Sequence, residues 1–281
     1  MMDYLGYKGK VCVVTGASSG MGKAVVDILV ELGAEVYALA RREIDTPVKK
    51  MIKTDLAQKD SIDAAFSHIP EEIDNFFGTA GVAGVKEDFL TTVTVNFIAN
   101  KYITDEYLTK RIKEGGSIGY ITSNGGLRWE RPVMKEEILP IISAQGWDDT
   151  IKAVESLGET RGNVGYAFSK RAGNYYAATM VPVFGAKKIR INCVLPGATN
   201  TGMTDDILVN TRGMENLLKF SGVLGRLAEP KEMAWPLVFM GSDVASYMSG
   251  TMMDVDAGTN AMMLAGIMPD IYSMSKPVRS D

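Results

Sequence analysis

Apolar and polar positions follow two different spacings along this chain. Short apolar runs are typical of buried strands, and the longer stretches between them carry apolar residues every three or four positions, as on one face of a helix. The runs predicted as strands are residues 10–15, 35–40, 51–54, 73–78, 116–122, 189–195 and 251–255. The stretches predicted as helices are residues 20–32, 58–68, 89–113, 164–184 and 230–241.

This order of strands and helices predicts an α/β fold. Strands that are apolar throughout are typical of a parallel sheet covered by helices on both faces, and right-handed crossovers connect such strands. We therefore expect a single Rossmann-type, doubly wound parallel sheet. No linker-like stretch interrupts the pattern, so residues 1–281 are expected to form one domain. Ligands of such sheets bind beyond the carboxyl ends of the strands.

A glycine-rich turn follows the first predicted strand and opens the first helix. In such turns glycines allow a tight bend and a close approach of phosphate, which the helix N-terminus attracts. The turn therefore predicts a nucleotide site, although a plain strand–helix turn is the alternative. The candidate binding residues are Gly16, Ser18, Ser19, Gly20, Met21 and Gly22.

The end of the second strand indicates which nucleotide binds. An acidic residue there would hydrogen-bond a ribose 2′-hydroxyl, but the chain has Arg41 and Arg42 after Ala40. Guanidinium groups match a 2′-phosphate well. We therefore predict NADP rather than NAD, with solvated loop arginines as the alternative. Asp55, which precedes Leu56, could contact the adenine or could cap a helix.

Tyr166 and Lys170 carry the clearest catalytic signal. Residues four apart share one face of a helix, so this pair directs a phenol and an ammonium towards one point. A nearby cation favours phenolate, and we expect Lys170 to lower the pKa of Tyr166 towards the working pH. A tyrosine acid/base needs such a shift.

Composition and charge exclude several other classes of protein. The formal net charge of −4 gives no reason to expect a nucleic-acid partner. No apolar run reaches the roughly 20 residues that span a bilayer, and the N-terminus lacks a secretory signal, so we expect a cytoplasmic protein without a membrane partner. Cys12 and Cys193 lie in apolar runs and are predicted to be buried free thiols. The single histidine, His68, excludes a histidine-rich metal site, and no metal is expected.

Several motifs in register resemble the short-chain dehydrogenase/reductase family over about residues 8–260. They are the 15–22 turn, Asp55-Leu56, Thr79-Ala80-Gly81, Asn96, Ser123, Tyr166 to Lys170, and Pro196-Gly197. The resemblance implies a dinucleotide-binding and catalytic domain in which Ala80, Gly81, Pro196 and Gly197 also contact the cofactor.

The resemblance also implies individual catalytic roles. Tyr166 would exchange a proton with the substrate oxygen, and Ser123 would hydrogen-bond that oxygen. Lys170 would bind the nicotinamide ribose and depress the pKa of Tyr166. Asn96 would hold a water of the proton relay. Thr199 or Thr201 would orient the nicotinamide carboxamide. Ser123 could instead cap a turn, and Asn96 could be a structural polar residue.

The chain departs from the family pattern in two places. Thr79 stands where the family usually has asparagine. Tyr166 follows Ser123 by 43 positions (166 − 123), about thirty more than usual, which defines an insertion over residues 129–162. Two short amphipathic helices joined near residues 146–147 are predicted there, although Pro140 should limit the first and Asp148 or Asp149 should cap the second. The insertion could be a packed satellite, an altered association surface, or a wall or lid over the substrate.

Within the family the layout is most similar to bacterial 3α-hydroxysteroid dehydrogenases, through the insertion, the 162–170 approach and residues 225–230. Eleven of seventeen methionines follow residue 200 and suit an adaptable apolar wall. The resemblance implies oxidation of a secondary alcohol, or reduction of a ketone, on a hydroxysteroid or bile acid. Another bulky ketone and a non-catalytic NADP-binding regulator are the alternatives. A homodimer or homotetramer is expected by resemblance.

Overall fold

The computed structural model describes residues 3–158, 162–211, 213–219 and 221–272 of the chain. These residues form one seven-stranded sheet in the order β3-β2-β1-β4-β5-β6-β7, with every neighbouring pair parallel. The doubly wound α/β fold is therefore confirmed. The strands are β1 Val11–Thr15, β2 Glu35–Ala40, β3 Lys50–Lys53, β4 Ile73–Gly78, β5 Ile112–Ile121, β6 Arg190–Pro196 and β7 Met252–Val255.

Helices cover both faces of the sheet. The principal ones are α1 Gly20–Glu31, α2 Lys59–Phe66, the long α3 from Phe89–Val93 to Thr109–Arg111, α4 Pro132–Ser143, α5 Gly146–Glu155, α6 Gly162–Gly185, α7 Thr204–Thr211, α8 Met214–Leu218, α9 Pro230–Gly241 and α10 Thr259–Leu264. On one face α1 and α9 bury Val25 and Leu237 against the sheet. On the other face α2, α3 and α6 bury Phe66, Ile103 and Phe184.

The boundary between α3 and β5 differs from its prediction. The helix was expected to continue to residue 113, but it ends at Arg111 and β5 begins at Ile112. Ile112 is buried and pairs with Ile73, and the register then shifts before Ser117 meets Asn75. The strand therefore begins at the buried Ile112, four residues before the predicted start at residue 116. A β-bulge accommodates the additional residues of β5 that have no partner in β4.

Two π-helical turns interrupt α3, at Thr94–Ile98 and Thr104–Leu108. Such turns insert one extra residue per turn and are frequent at functional sites. The first of them carries Asn96. The apolar spacing of the sequence does not reveal these turns, because the helix remains buried on the same side.

The described part of the insertion contains the two predicted helices, α4 and α5. Two details of the prediction were wrong. Pro140 lies inside α4, and the helix continues beyond it to Ser143, because the proline removes only one intrahelical N–H donor. The residue before α5 is Gln145, so Asp148 and Asp149 lie in its first turn and do not cap it.

Both cysteines are buried free thiols, as predicted. Burial raises the pKa of Cys193 to about 12, which keeps this thiol protonated and inert. None of the described helices is both long enough and apolar enough to cross a bilayer.

Candidate active site

The glycine turn after β1 packs closely against the segment that follows β4. Gly16 has a φ of +68°, and a Cβ placed on it would lie 2.7 Å from the Cα of Ala80. A Cβ on Gly22 would lie 2.3 Å from the Gly16 carbonyl oxygen. Both contacts exclude a side chain. The turn therefore presents bare backbone at the N-terminus of α1.

Threonine at position 79 joins the first and fourth strands. Its hydroxyl donates to the carbonyl oxygen of Thr15, and the Thr15 hydroxyl accepts from the backbone N–H of Thr79 at 3.2 Å. These bonds link the two strand ends directly. The Ala80 N–H also donates to the Thr15 hydroxyl at 3.4 Å, so the end of β1 holds the start of the Ala80–Gly81 segment.

Asn96 holds the segment after Gly81 in place. Its Oδ1 accepts from the Val82 N–H at 2.8 Å, and its Nδ2 donates to the Val82 carbonyl at 3.0 Å and to the Ser169 hydroxyl at 3.2 Å. A Cβ on Gly81 would lie 3.3 Å from Oδ1 of Asn96 and 3.5 Å from Nζ of Lys170. The structure thus brings Gly81, Asn96 and Lys170 together.

Ser123 and Tyr166 meet across Gly125. Ser123 is buried at the end of β5, and its Oγ accepts from the Gly125 N–H at 3.0 Å. A Cβ on Gly125 would lie 3.4 Å from both that Oγ and Cε1 of Tyr166. Ser123 therefore does cap this turn, which was the alternative role predicted for it. The same hydrogen bond from the Gly125 N–H holds the Ser123 hydroxyl beside the phenol ring.

Lys170 is buried, and its Nζ lies 5.5 Å from the centre of the Tyr166 ring. That Nζ donates to the Ile121 carbonyl at 3.3 Å. Burial lowers the pKa of Lys170 to about 8, because the ammonium loses its hydration.

The expected depression of the Tyr166 pKa is wrong for this structure. Burial raises that pKa above its ordinary value, and interaction with the Ser123 hydroxyl opposes the rise only in part. The physical reason is burial, which removes the hydration that a phenolate needs. Lys170 is buried beside it and gains no compensating carboxylate among the described residues, so its ammonium does not offset that cost.

The two arginines after β2 are both exposed. Nη2 of Arg42 donates to the Ser19 hydroxyl at 3.2 Å, which places this guanidinium beside the glycine turn. Ser18 is partly buried next to Ser19, and Met21 packs into the core beneath α1.

Asp55 makes a local turn. Its Oδ1 accepts from the Ala57 N–H at 3.0 Å. It does not cap α2, which begins after Gln58. Leu56 beside it is a buried core residue.

The loop after β6 reaches the glycine turn. Gly197 donates its N–H to the Val255 carbonyl at 3.0 Å and continues β6 beyond Pro196. Thr199 is buried and bonds the Gly197 carbonyl at 3.0 Å. A Cβ on Gly20 would lie 3.5 Å from the Cβ of Thr201. Thr201, and not Thr199, therefore stands closest to the N-terminus of α1.

The insertion helices pack on α6 away from Tyr166 and Lys170. The residues of α6 that contact them include Phe168 and Ala172, each two positions from a candidate catalytic residue. Two positions correspond to about 200° around a helix. The described part of the insertion therefore behaves as a packed satellite, and these contacts give no support to a lid.

Some residues near the site were missed by sequence reasoning. Gly125 separates Ser123 from Tyr166, and its position directly after Ser123-Asn124 was the available signal. Arg128 follows Ser123 in the loop after β5, and Asp270 joins it to Tyr272, which is distant in the sequence. No local motif marks them.

Comparison with known proteins identifies the class. Residues 10–133 match the family model described as short chain dehydrogenase, and residues 133–260 match the one described as Enoyl-(Acyl carrier protein) reductase. The chain belongs to the short-chain dehydrogenase/reductase family. It is an oxidoreductase that uses NAD or NADP on small-molecule substrates.

Three individual proteins illustrate the range of similarity. The 3-alpha-hydroxysteroid dehydrogenase/carbonyl reductase of Comamonas testosteroni is 26% identical over 253 residues, covering 90% of this chain and 97% of that protein. The coniferyl-alcohol dehydrogenase of Pseudomonas sp. (strain HR199 / DSM 7063) is 28% identical over 251 residues, covering 89% and 96%. Among solved structures, the 3-alpha-hydroxysteroid dehydrogenase from Pseudomonas sp. B-0831 complexed with NADH has a TM-score of 0.76 at 25% identity, covering 91% and 98%. Proteins with different substrates are thus equally similar in sequence.

Proposed function

We propose that this protein is an NADP-dependent oxidoreductase that interconverts a secondary alcohol and a ketone on a hydroxysteroid or bile acid, most specifically as a 3-hydroxysteroid dehydrogenase. The observation that carries the proposal is the cluster of Ser123, Tyr166 and Lys170 at the carboxyl end of the sheet, beside the glycine turn. The names of two similar proteins support a steroid substrate.

The residues fit a dinucleotide. The glycines of the turn leave bare backbone at a helix N-terminus, which suits a pyrophosphate. The space beside Lys170 Nζ is one that a side chain at Gly81 would fill, since its Cβ would lie 3.5 Å away. A bound nicotinamide supplies the hydride chemistry. In this proposal Gly16, Gly20, Gly22, Ala80 and Gly81 approach it with backbone.

The other cofactor contacts follow from their positions. Arg41 and Arg42 would hold the 2′-phosphate with Ser18 and Ser19, and Thr201 would stand at the carboxamide together with Pro196, Gly197 and Thr199. Asp55 and Leu56 would border the adenine.

The geometry of the cluster supports the proposed catalytic roles. Ser123 Oγ accepts from the Gly125 N–H at 3.0 Å and donates to Oδ1 of Asn124 at 3.5 Å, a long bond that its proton would leave for a substrate oxygen. Tyr166 would hold or accept the proton at that oxygen. Its raised pKa makes it a proton donor in the ligand-free state. An anionic or hydroxyl partner beside Nζ would raise the pKa of Lys170. Asn96 would hold the Val82 backbone in place through its hydrogen bonds.

The test is turnover measured by absorbance at the reduced nicotinamide band. Purified protein would be assayed with NADP and NAD against 3α-, 3β-, 7- and 12-hydroxysteroids and the matching ketones. Turnover at position 3 with NADP is expected. Turnover of other ketones alone would support the second candidate, a reductase of another bulky ketone, which the words "carbonyl reductase" in the name of the Comamonas testosteroni protein favour.

A catalytically silent NADP-binding regulator is the candidate from another class. It would bind NADPH without turnover of any alcohol or ketone. The preserved Ser123, Tyr166 and Lys170 cluster argues against it. We also propose one domain over residues 1–281, a homodimer or homotetramer, and a cytoplasmic location.

A further inference from the structure

We propose that Arg128 is a positioning residue for this reaction. Its guanidinium binds the C-terminal segment, residues 266–272, to the loop that carries Ser123. The segment is thereby held in one position, where it forms a wall on one side of the site. The kinetic part of this inference rests on the proposed function. The structural part does not.

The loop after β5 is a short, internally bonded turn. Ser123 accepts at its carbonyl from the Gly126 N–H at 2.9 Å, and Arg128 follows five positions after Ser123 (128 − 123). Nδ2 of Asn174, on α6, donates to the Gly126 carbonyl at 3.1 Å. One side of the loop is therefore tied to the helix that carries Tyr166. Arg128 ties the other side.

Among the described residues, the guanidinium of Arg128 has two partners from the C-terminal part of the chain. Its Nε donates to Oδ2 of Asp270 at 2.7 Å, and its Nη1 donates to Oδ1 of Asn260 at 3.0 Å. The side chains of Arg128 and Asp270 are only 11% and 28% exposed. Solvent screens such a pair less than it screens a surface pair. Oδ1 of Asp270 also accepts from the Tyr272 N–H at 3.0 Å, which orders the end of the segment.

The backbone of Arg128 shows that this contact constrains the loop. Its φ of +64° lies in the left-handed region, which is unfavourable for a residue with a Cβ. Such conformations persist where the surrounding structure holds them. Leu127 before it is buried in the same apolar cluster as Tyr272, and Trp129 after it stacks on Tyr175, so the side chains on both sides of the strained residue are packed.

Electrostatics make Arg128 hard to replace. Asn260 donates through Nδ2 to Asp254 at 2.6 Å and through its backbone N–H to Asp256 at 2.8 Å. Arg128 therefore faces a region that contains three carboxylates. The positive charge of Arg128 lowers the pKa of Asp254 against the larger effect of burial, which raises it. Without the guanidinium, repulsion among the carboxylates would favour release of the segment.

The segment reaches the catalytic centre through Tyr272. This phenol is buried, and burial raises its pKa, with further contributions from Asp256 and from Tyr166. Tyr272 also lies in the same apolar cluster as Leu127, which follows Ser123 by four positions (127 − 123). A wall at this position would limit the orientation of a bulky substrate at Ser123.

The test compares Arg128→Ala, Asp270→Ala, the double variant and Arg128→Lys in the full chain. Arg111→Ala is the matched control, because Arg111 is 16% exposed, pairs with a carboxylate and lies at the opposite end of β5. Hydrogen–deuterium exchange of residues 124–128 and 266–272 is measured first. We expect faster exchange in both peptides for Arg128→Ala and for Asp270→Ala, and unchanged exchange there for the control.

Kinetics with the substrate found by the steroid and ketone panel supply the second readout. We expect kcat to fall about 10- to 100-fold in both single variants, the effect of a small misplacement of reacting groups. NADPH affinity should stay within about twofold, the double variant should be no worse than either single one, and Arg128→Lys should recover part of the activity.

Unchanged exchange at 266–272 in Arg128→Ala would overturn the inference. So would additive losses of kcat in the double variant, since the two residues would then act separately. If the wild-type chain turns over no substrate, the proposed function fails, while the exchange measurement still decides whether Arg128 holds the loop to the segment.

Discussion

Lys170 should make the folded chain less stable at neutral pH than a chain without this charge. Its side chain is buried, with one hydrogen bond from Nζ to the Ile121 carbonyl at 3.3 Å. Burial lowers its pKa from the ordinary 10.5 to about 8. At about 1.36 kcal/mol per pH unit, this difference corresponds to roughly 3 kcal/mol of folding free energy.

The sign follows from proton binding. Below pH 8 the lysine is charged in both the folded and unfolded states, and the full cost of burying the ammonium is present. Above 10.5 it is neutral in both states and the cost is absent. Between these values the unfolded chain binds more protons, so this group makes the free energy of unfolding rise with pH.

Lys170→Met removes the titration and keeps a side chain of similar length. The variant loses the bond to Ile121, worth about 1 kcal/mol, and avoids the buried charge. We expect it to be about 2 kcal/mol more stable than the wild type at pH 7. The advantage should shrink by on the order of 2 kcal/mol by pH 10. The proposed role also predicts that this variant has no turnover.

Urea denaturation of both proteins at several pH values between 7 and 10 measures these differences. Lys110→Met is the control for removing a lysine, because Lys110 is 68% exposed. A difference between Lys170→Met and wild type that stays constant over this pH range would refute the reasoning, since the buried ammonium would then not titrate near pH 8.

Three further predictions test the site. Tyr166→Phe should remove nearly all turnover and leave NADPH affinity within about twofold; retained turnover, measured by nicotinamide absorbance, would contradict the role of the phenol. Arg41→Ala should weaken NADPH binding about 10-fold or more and NADH binding little, because a charge-assisted contact to the 2′-phosphate is lost; equal losses in a fluorescence titration would count against it. Asn96→Ala should lower the free energy of unfolding by about 2–4 kcal/mol, because it leaves the N–H and the carbonyl of Val82 without their partner; an unchanged urea midpoint would exclude this role.

The sequence was sufficient for those parts of the molecule that depend on local patterns. Apolar runs in the sequence predict the buried strands. The turn needs glycine because a side chain at Gly16 or Gly22 would clash with neighbouring atoms. The spacing of Tyr166 and Lys170 on one helix determines that both face the same side. For these features the local sequence pattern is enough to determine the position of each residue in the fold.

Other features depend on distances between segments, which no local pattern encodes. The π-turn at Asn96 follows from how a buried helix meets the Val82 backbone, and the early start of β5 depends on Ile112 reaching Ile73. The position of the insertion on α6 could not be obtained from its place between Ser123 and Tyr166. Proximity in sequence suggested a lid, whereas the apolar faces of the two helices found their partners on the far side of α6.

The pKa of Tyr166 shows most clearly why residue types alone were insufficient. A lysine four positions away predicts a lower pKa only if the ammonium stays charged while the phenol ionises. In this structure burial raises the pKa of the phenol and lowers that of Lys170 to about 8, so burial favours the neutral form of both groups. The two groups therefore need a third partner that stabilises the ammonium before the phenol can become a strong base. In the proposed reaction a nicotinamide ribose beside Nζ would meet this need, so proton transfer by Tyr166 should depend on prior cofactor binding.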